Sequence, residues 1–158
     1  MFKSNYEARI KTLTDNLNEA LNSKLLGFEE SKMLKSCGIY IVYNEHEEII
    51  YIGKTGRDGK TRLRELTSDY RSHTFNKKLL REKLIDFLQN TDLRLTNRTK
   101  EQLIVEEIIS EQNFLTLQKE VNEIIKTQYK FRFYEVKESE LTETEHFFIA
   151  VVNPKFND

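Results

Sequence analysis

The chain has 158 residues and one cysteine, Cys37, which excludes an internal disulfide and any cysteine-cluster zinc site. Its three histidines, His46, His73 and His146, show no metal-ligand spacing, which speaks against a histidine-bound zinc. The longest apolar run, residues 147–152, is far too short to span a bilayer. Residues 1–9 carry no apolar signal region, so a reducing cytoplasm is the expected address and no membrane partner is expected. No internal repeat or low-complexity segment is visible. Net charge is nearly absent too, at −1, but that average conceals an asymmetry.

Residues 54–83 hold ten Lys or Arg against four Asp or Glu, a local charge of +6, and the remainder carries −7. One basic face meeting a polyanion would produce such a pattern, as would a solvated helical face. With 38% apolar and 32% charged residues the composition is that of a soluble globular chain. Its length suits one domain, 1–158, able to bury roughly 70% of its unfolded surface.

Residues 38–53 hold two short runs rich in Ile, Val and Tyr around the polar pentapeptide 44–48. Each run reads as a strand and the pair as a hairpin. A turn symmetric about Glu45 and His46 places Tyr40 directly opposite Tyr51, with Cβ atoms roughly 5 Å apart. Alternation puts Gly38 on the face of Tyr40 and Gly53 on that of Tyr51, a backbone-lined notch with two hydroxyls.

Elsewhere, Tyr6, Ile10, Leu13, Leu17, Ala20 and Leu21 recur at helical spacing, predicting a helix over 5–24 that covers a sheet edge or face, or docks a partner. Two more helices are expected over 61–70 and 75–88, the second with an apolar stripe of Leu80, Leu84, Phe87 and Leu88. Residues 90–127 read as an acidic helical insertion: one helix carries Leu103, Ile104, Ile108 and Ile109, and another Leu117, Val121, Ile124 and Ile125. Its six glutamates against Lys119 in 101–125 should turn it away from nucleic acid, and it could serve a protein partner or a dimer. Alternating aromatic and charged residues over 129–136 predict a third strand, and 139–152 a closing helix.

Gly38-Ile39-Tyr40 followed after ten residues by Tyr51-Ile52-Gly53 resembles the GIY-YIG nuclease family. Leaving aside an N-terminal helical extension (1–35) and the insertion, the order β-β-α-α-β-α resembles that family's α+β fold, a three-stranded sheet flanked by helices. The resemblance implies phosphodiester hydrolysis by water, with Tyr40 and Tyr51 beside the attacking water and one of them as general base. A phenol is only about 0.1% ionised at pH 7, so a nearby cation must help, and Lys54 is the candidate. Arg62, with Arg64 and Arg57 as near alternatives, would clamp the scissile phosphate through its fork geometry. Glu145 matches the metal ligand, with Glu143 as second choice; one carboxylate plus waters suits Mg²⁺, and Mn²⁺ could substitute. The string Thr142-Glu143-Thr144-Glu145 can also be read as a capping box that merely starts a helix. Asn157, in Pro-Lys-Phe-Asn, matches a family asparagine that hydrogen-bonds near the active site.

Arg57, Lys60, Arg64, Arg71, Lys77, Lys78 and Arg81 are the expected nucleic-acid contacts. One position departs: four residues after the arginine, where the family places His or Tyr, stands Leu66. Tyr70 or His73 could substitute, and His73 is favoured because a loop can fold back. Together these features suggest a Mg²⁺-dependent DNA endonuclease, of restriction or defence type since no separate DNA-reading module is visible, and a homodimer if it cuts duplexes. The alternative is a non-catalytic GIY-YIG module that binds nucleic acid or a protein partner.

Overall fold

The computed structural model describes residues 2–89 and 99–157. Its elements run α1 (Phe2–Leu21), β1 (Gly38–Tyr43), β2 (Ile49–Thr55), α2 (Gly59–Glu65), α3 (Thr74–Leu88), α4 (Lys100–Val105), α5 (Glu111–Thr127), β3 (Lys130–Glu135) and α6 (Leu141–Val152). Short 3-10 turns occupy Glu30–Met33 and Glu138–Glu140. The strands form one antiparallel sheet in the order β2-β1-β3, so the fold is α+β with a three-stranded sheet, as expected. The first stretch of the expected insertion, 90–98, lies outside the described residues.

The chain divides into two units, one from Met1–Leu63 with Gln128–Asp158 and the other from Arg64–Thr127. In the first unit β1 is central and buried along its whole length, which is why its sequence is apolar throughout instead of alternating. Ile39, Ile41 and Tyr43 of β1 and Ile52 of β2 form one face. They pack in a single core with Leu17 and Ala20 of α1 and Leu141 and Phe148 of α6. The N-terminal helix therefore covers a sheet face. Burying a Leu such as Leu17 there is worth about 1.5–3 kcal/mol. Polar contacts add direction: the Arg132 guanidinium donates to the Ser23 carbonyl, and Arg9 of α1 pairs with Glu143 of α6. The other face carries Tyr40, Val42, Tyr51 and Gly53. On that side Gly59 at the start of α2 packs so tightly that a Cβ would lie 2.8 Å from the Phe133 ring.

In the second unit α3 packs against α5. The sequence pattern separates basic 75–88 from acidic 90–127, yet in space they belong together. A buried amide network joins them: Asn76 donates to the Leu66 carbonyl (2.6 Å) and to Asn122 Oδ1 (2.9 Å), and Gln118 donates to Asn76 Oδ1 (2.9 Å). The helix expected to carry Leu103 through Ile109 stops at Val105. Glu107 turns left-handed (φ 56°), and the Ile108 N–H bonds back to the Leu103 carbonyl.

Candidate active site

The hairpin sets the site, and its register differs from the symmetric expectation. Tyr40 pairs with Gly53 and Val42 with Tyr51. Two local events cause the shift. Asn44 Oδ1 accepts the N–H groups of His46 and Glu48 (2.9 Å each), and Glu47 turns left-handed (φ 61°), so the five-residue loop centres on His46. Tyr43 consequently faces Ile49, and an irregularity next to it leaves Ile50 out of the ladder. The total displacement from the symmetric register is two residues. Because strand side chains alternate with period two, both tyrosines stay on one face, but as diagonal neighbours. Their ring centroids are 6.1 Å apart, with planes 33° from parallel.

This register explains Gly53. A Cβ there would sit 2.2 Å from the Tyr40 hydroxyl oxygen and 2.3 Å from Cζ, so the Tyr40 ring lies across the backbone of the strand that carries Tyr51. Gly38 has a different reason: its Cβ would meet the Tyr134 carbonyl at 2.2 Å.

Tyr40 is 1% exposed, and burial raises its pKa far above the ordinary phenol value; Tyr51 adds to this, while the charge and hydrogen bond of Arg62 oppose it. Burial likewise raises Tyr51, again against Arg62. The cation that acts on the phenols is thus Arg62 of α2, where the sequence pointed to Lys54. Alternation places Lys54 on the opposite face of β2 from Tyr51. Its ammonium donates to Thr142 Oγ1 at 2.7 Å and stands 3.7 Å from Glu145 Oε1, and the Glu145 charge in turn acts on both phenols.

Glu145 lies in the second turn of α6. That helix starts at Leu141 with no side-chain cap, so the capping-box reading falls. The carboxylate is 15% exposed, and burial raises its pKa above the usual range, against the pull of Lys54 and His146. Glu143 is held by Arg9, which leaves Glu145 as the better-placed carboxylate. Among the described residues no cluster of three or more metal-ligating side chains occurs. What the site offers is one half-buried carboxylate with the Lys54 ammonium 3.7 Å away, a donor that fits a hard divalent ion keeping most of its own waters.

Asn157 does not point at the tyrosine hydroxyls. Its Oδ1 accepts the Ile52 N–H (2.8 Å) and its Nδ2 donates to the Ile52 carbonyl (2.7 Å). Since β2 is an edge strand, these outward backbone groups would otherwise lack a ladder partner. The next segment inward repeats the device, with the Phe156 N–H on the carbonyl of the displaced Ile50. Asn157 therefore secures the residue between Tyr51 and Gly53.

Arg57 and Lys60 are exposed in the first unit; Arg64, Arg71 and Lys77 are exposed in the second, and Lys78 and Arg81 are half-buried there. Arg71 is already engaged, 3.1 Å from Glu101 and stacked 5.3 Å over the Tyr70 ring. Tyr70 packs edge-on against Phe114. Leu66 is fully buried one residue beyond α2, as a core residue would be. His73 is 2% exposed and caps α3, its Nδ1 accepting the Phe75 N–H at 3.0 Å. His73→Ala is accordingly expected to cost about 1 kcal/mol of stability in chemical denaturation through the lost cap. A proton-handling role would add a single-turnover rate loss of at least about 10²-fold. The residue that sequence reasoning missed is Thr142, three positions before Glu145 on the same helical face.

Among the described residues no helix is long and apolar enough to cross a membrane. A family model described as the GIY-YIG catalytic domain matches residues 36–157. Neither the curated proteins nor the solved structures returned a match. Because the family match covers most of the chain and takes in both tripeptides, the chain belongs to the GIY-YIG nuclease family.

Proposed function

We propose that this chain is a DNA endonuclease that hydrolyses phosphodiester bonds with Mg²⁺ held at Glu145. The observation that carries the reading is the Tyr40–Tyr51 ring pair, with centroids 6.1 Å apart, on which the charges of Arg62 and Glu145 from the same unit both act. Arg62 binds the scissile phosphate through its guanidinium fork. Tyr51, the less buried phenol, holds the attacking water and takes its proton, while Tyr40 and Arg62 stabilise the phenolate. Water oxygen bonds to phosphorus as the bond to the 3′-oxygen breaks, and the departing 3′-oxygen takes a proton from solvent, leaving a 5′-phosphate and a 3′-hydroxyl. Nucleases of this family generally use divalent metal ions, and Mg²⁺, or Mn²⁺ in its place, would supply charge stabilisation at the phosphate when bound. The exposed Arg57 and Lys60 of the first unit supply backbone contacts along the substrate. The chain works in the cytoplasm as a restriction or defence enzyme. One site cuts one strand, so duplex cleavage uses a homodimer.

The test is cleavage of duplex, single-stranded and branched DNA with Mg²⁺ or with EDTA. No cleavage of any form would favour the second reading, a non-catalytic module binding nucleic acid or a protein, which the aliphatic, buried Leu66 supports.

The pH dependence follows from the raised phenol values. Below its pKa, the phenolate fraction of Tyr51 grows tenfold per pH unit. The single-turnover rate should therefore climb log-linearly from about pH 7 to about pH 10, the ordinary phenol value, without levelling off. A plateau reached by pH 8 would show that the base in the reacting complex is not a phenol with a raised pKa. Stability runs the other way. Both folded pKa values lie above the unfolded value, so the neutral phenols contribute fully below about pH 10 and that contribution is lost as pH rises further.

A further inference from the structure

The Lys54 ammonium has two neighbours on α6, and the shorter contact is not to the charged one. It lies 2.7 Å from the Thr142 hydroxyl oxygen and 3.7 Å from Glu145 Oε1. An ammonium beside a carboxylate normally closes to about 2.7–2.9 Å in a charge-assisted hydrogen bond. Lys54, 35% exposed on a flexible four-carbon stem, has the reach to do so. Thr142 and Glu145 stand three residues apart on α6, so the hydroxyl draws the ammonium toward the preceding turn.

We propose that Thr142 is a positioning residue: its hydroxyl holds the Lys54 ammonium aside so that the Glu145 carboxylate stays available to a divalent cation. This rests on Glu145 as the metal ligand, as proposed above. Lysine and metal ion compete for the same oxygen, because a carboxylate tied directly to an ammonium is a poorer ligand for a second cation. The hydroxyl accepts one of the three ammonium donors and leaves the others for water or a phosphate. Removing the acceptor while keeping the shape lets Lys54 close onto Glu145.

The experiment measures Mn²⁺ binding to the full-length chain without DNA, from the loss of the free-ion electron paramagnetic resonance signal. Thr142→Val should raise the Mn²⁺ dissociation constant on the order of fivefold, the worth of about one net hydrogen bond. Thr142→Ala should do the same, and Thr142→Ser should bind as the wild type does. In a Lys54→Met background Thr142→Val should change nothing, since the lysine through which it acts is gone. Wild-type affinity in both Thr142→Val and Thr142→Ala overturns the inference and leaves the Glu145 site standing. So does an equal shift in the Lys54→Met background, which would mean that Thr142 acts on the helix alone. A wild type with no saturable Mn²⁺ binding removes the metal site itself and this inference with it.

Discussion

Glu145→Gln should lower the single-turnover cleavage rate by about 10³-fold or more, because charge stabilisation by a bound metal is worth several kcal/mol. The amide keeps the shape of the side chain but binds a divalent ion poorly. The same substitution separates catalysis from stability. Burial raises the folded pKa of Glu145 above its unfolded value, so the protonated form is favoured on folding at low pH. That contribution is lost as pH rises through the folded value. At pH 7 without metal, the ionised carboxylate is therefore a burden that glutamine lacks. In EDTA the variant should melt no lower than the wild type, and Mg²⁺ should raise the melting temperature of the wild type alone. A variant that cuts at the wild-type rate would end the metal assignment. One that melts markedly lower in EDTA would revive a purely structural role for the carboxylate.

The second large effect is expected from Gly53→Ala. A methyl group at this position would overlap the Tyr40 phenol, at 2.2 Å from its oxygen and 2.3 Å from Cζ. The ring cannot simply swing out, since it is 1% exposed and Arg62 is bonded to it. Either the ring or β2 must move. Overpacking of this kind costs about 1–3 kcal/mol, read by chemical denaturation. Displacing the phenol by about 1 Å should cost a further 10²-fold or so in the single-turnover rate. Gly56→Ala is the control: its nearest neighbour would be the Glu138 carboxylate at 3.8 Å, so stability should stay within about 0.5 kcal/mol. Wild-type stability and rate in Gly53→Ala would show that Tyr40 does not need its place over the backbone of β2.

Much of this site was legible along the chain. The alternation of Ile and Tyr around a polar pentapeptide foretold the hairpin, and periodicity located the helices, though with shifted ends. Asp58 starts α2 early, at Gly59, because its carboxylate accepts the Thr61 N–H at 2.7 Å. The hairpin register was not legible. It depends on how one asparagine side chain folds a five-residue loop and on an irregularity beside Tyr43, both decided by hydrogen bonds and neighbouring strands. The partnership of α3 with α5 was equally hidden, since charge separates the two segments while buried amides and apolar side chains join them.

What the sequence determined by itself is the set of local choices: two β-prone runs, glycines where side chains would collide, and amphipathic stripes that need a sheet face to cover. These follow from the period of each element and from the size of single residues. Only the tertiary structure decided which charge meets which group. Lys54 adjoins Gly53 in sequence, yet strand alternation turns its side chain away from the phenols, and its ammonium meets Thr142 and Glu145 of α6. Arg62 lies eleven residues beyond Tyr51, yet its guanidinium is the cation acting on both phenols. Electrostatic coupling depends on distance and burial in space, and neither is a function of separation along the chain.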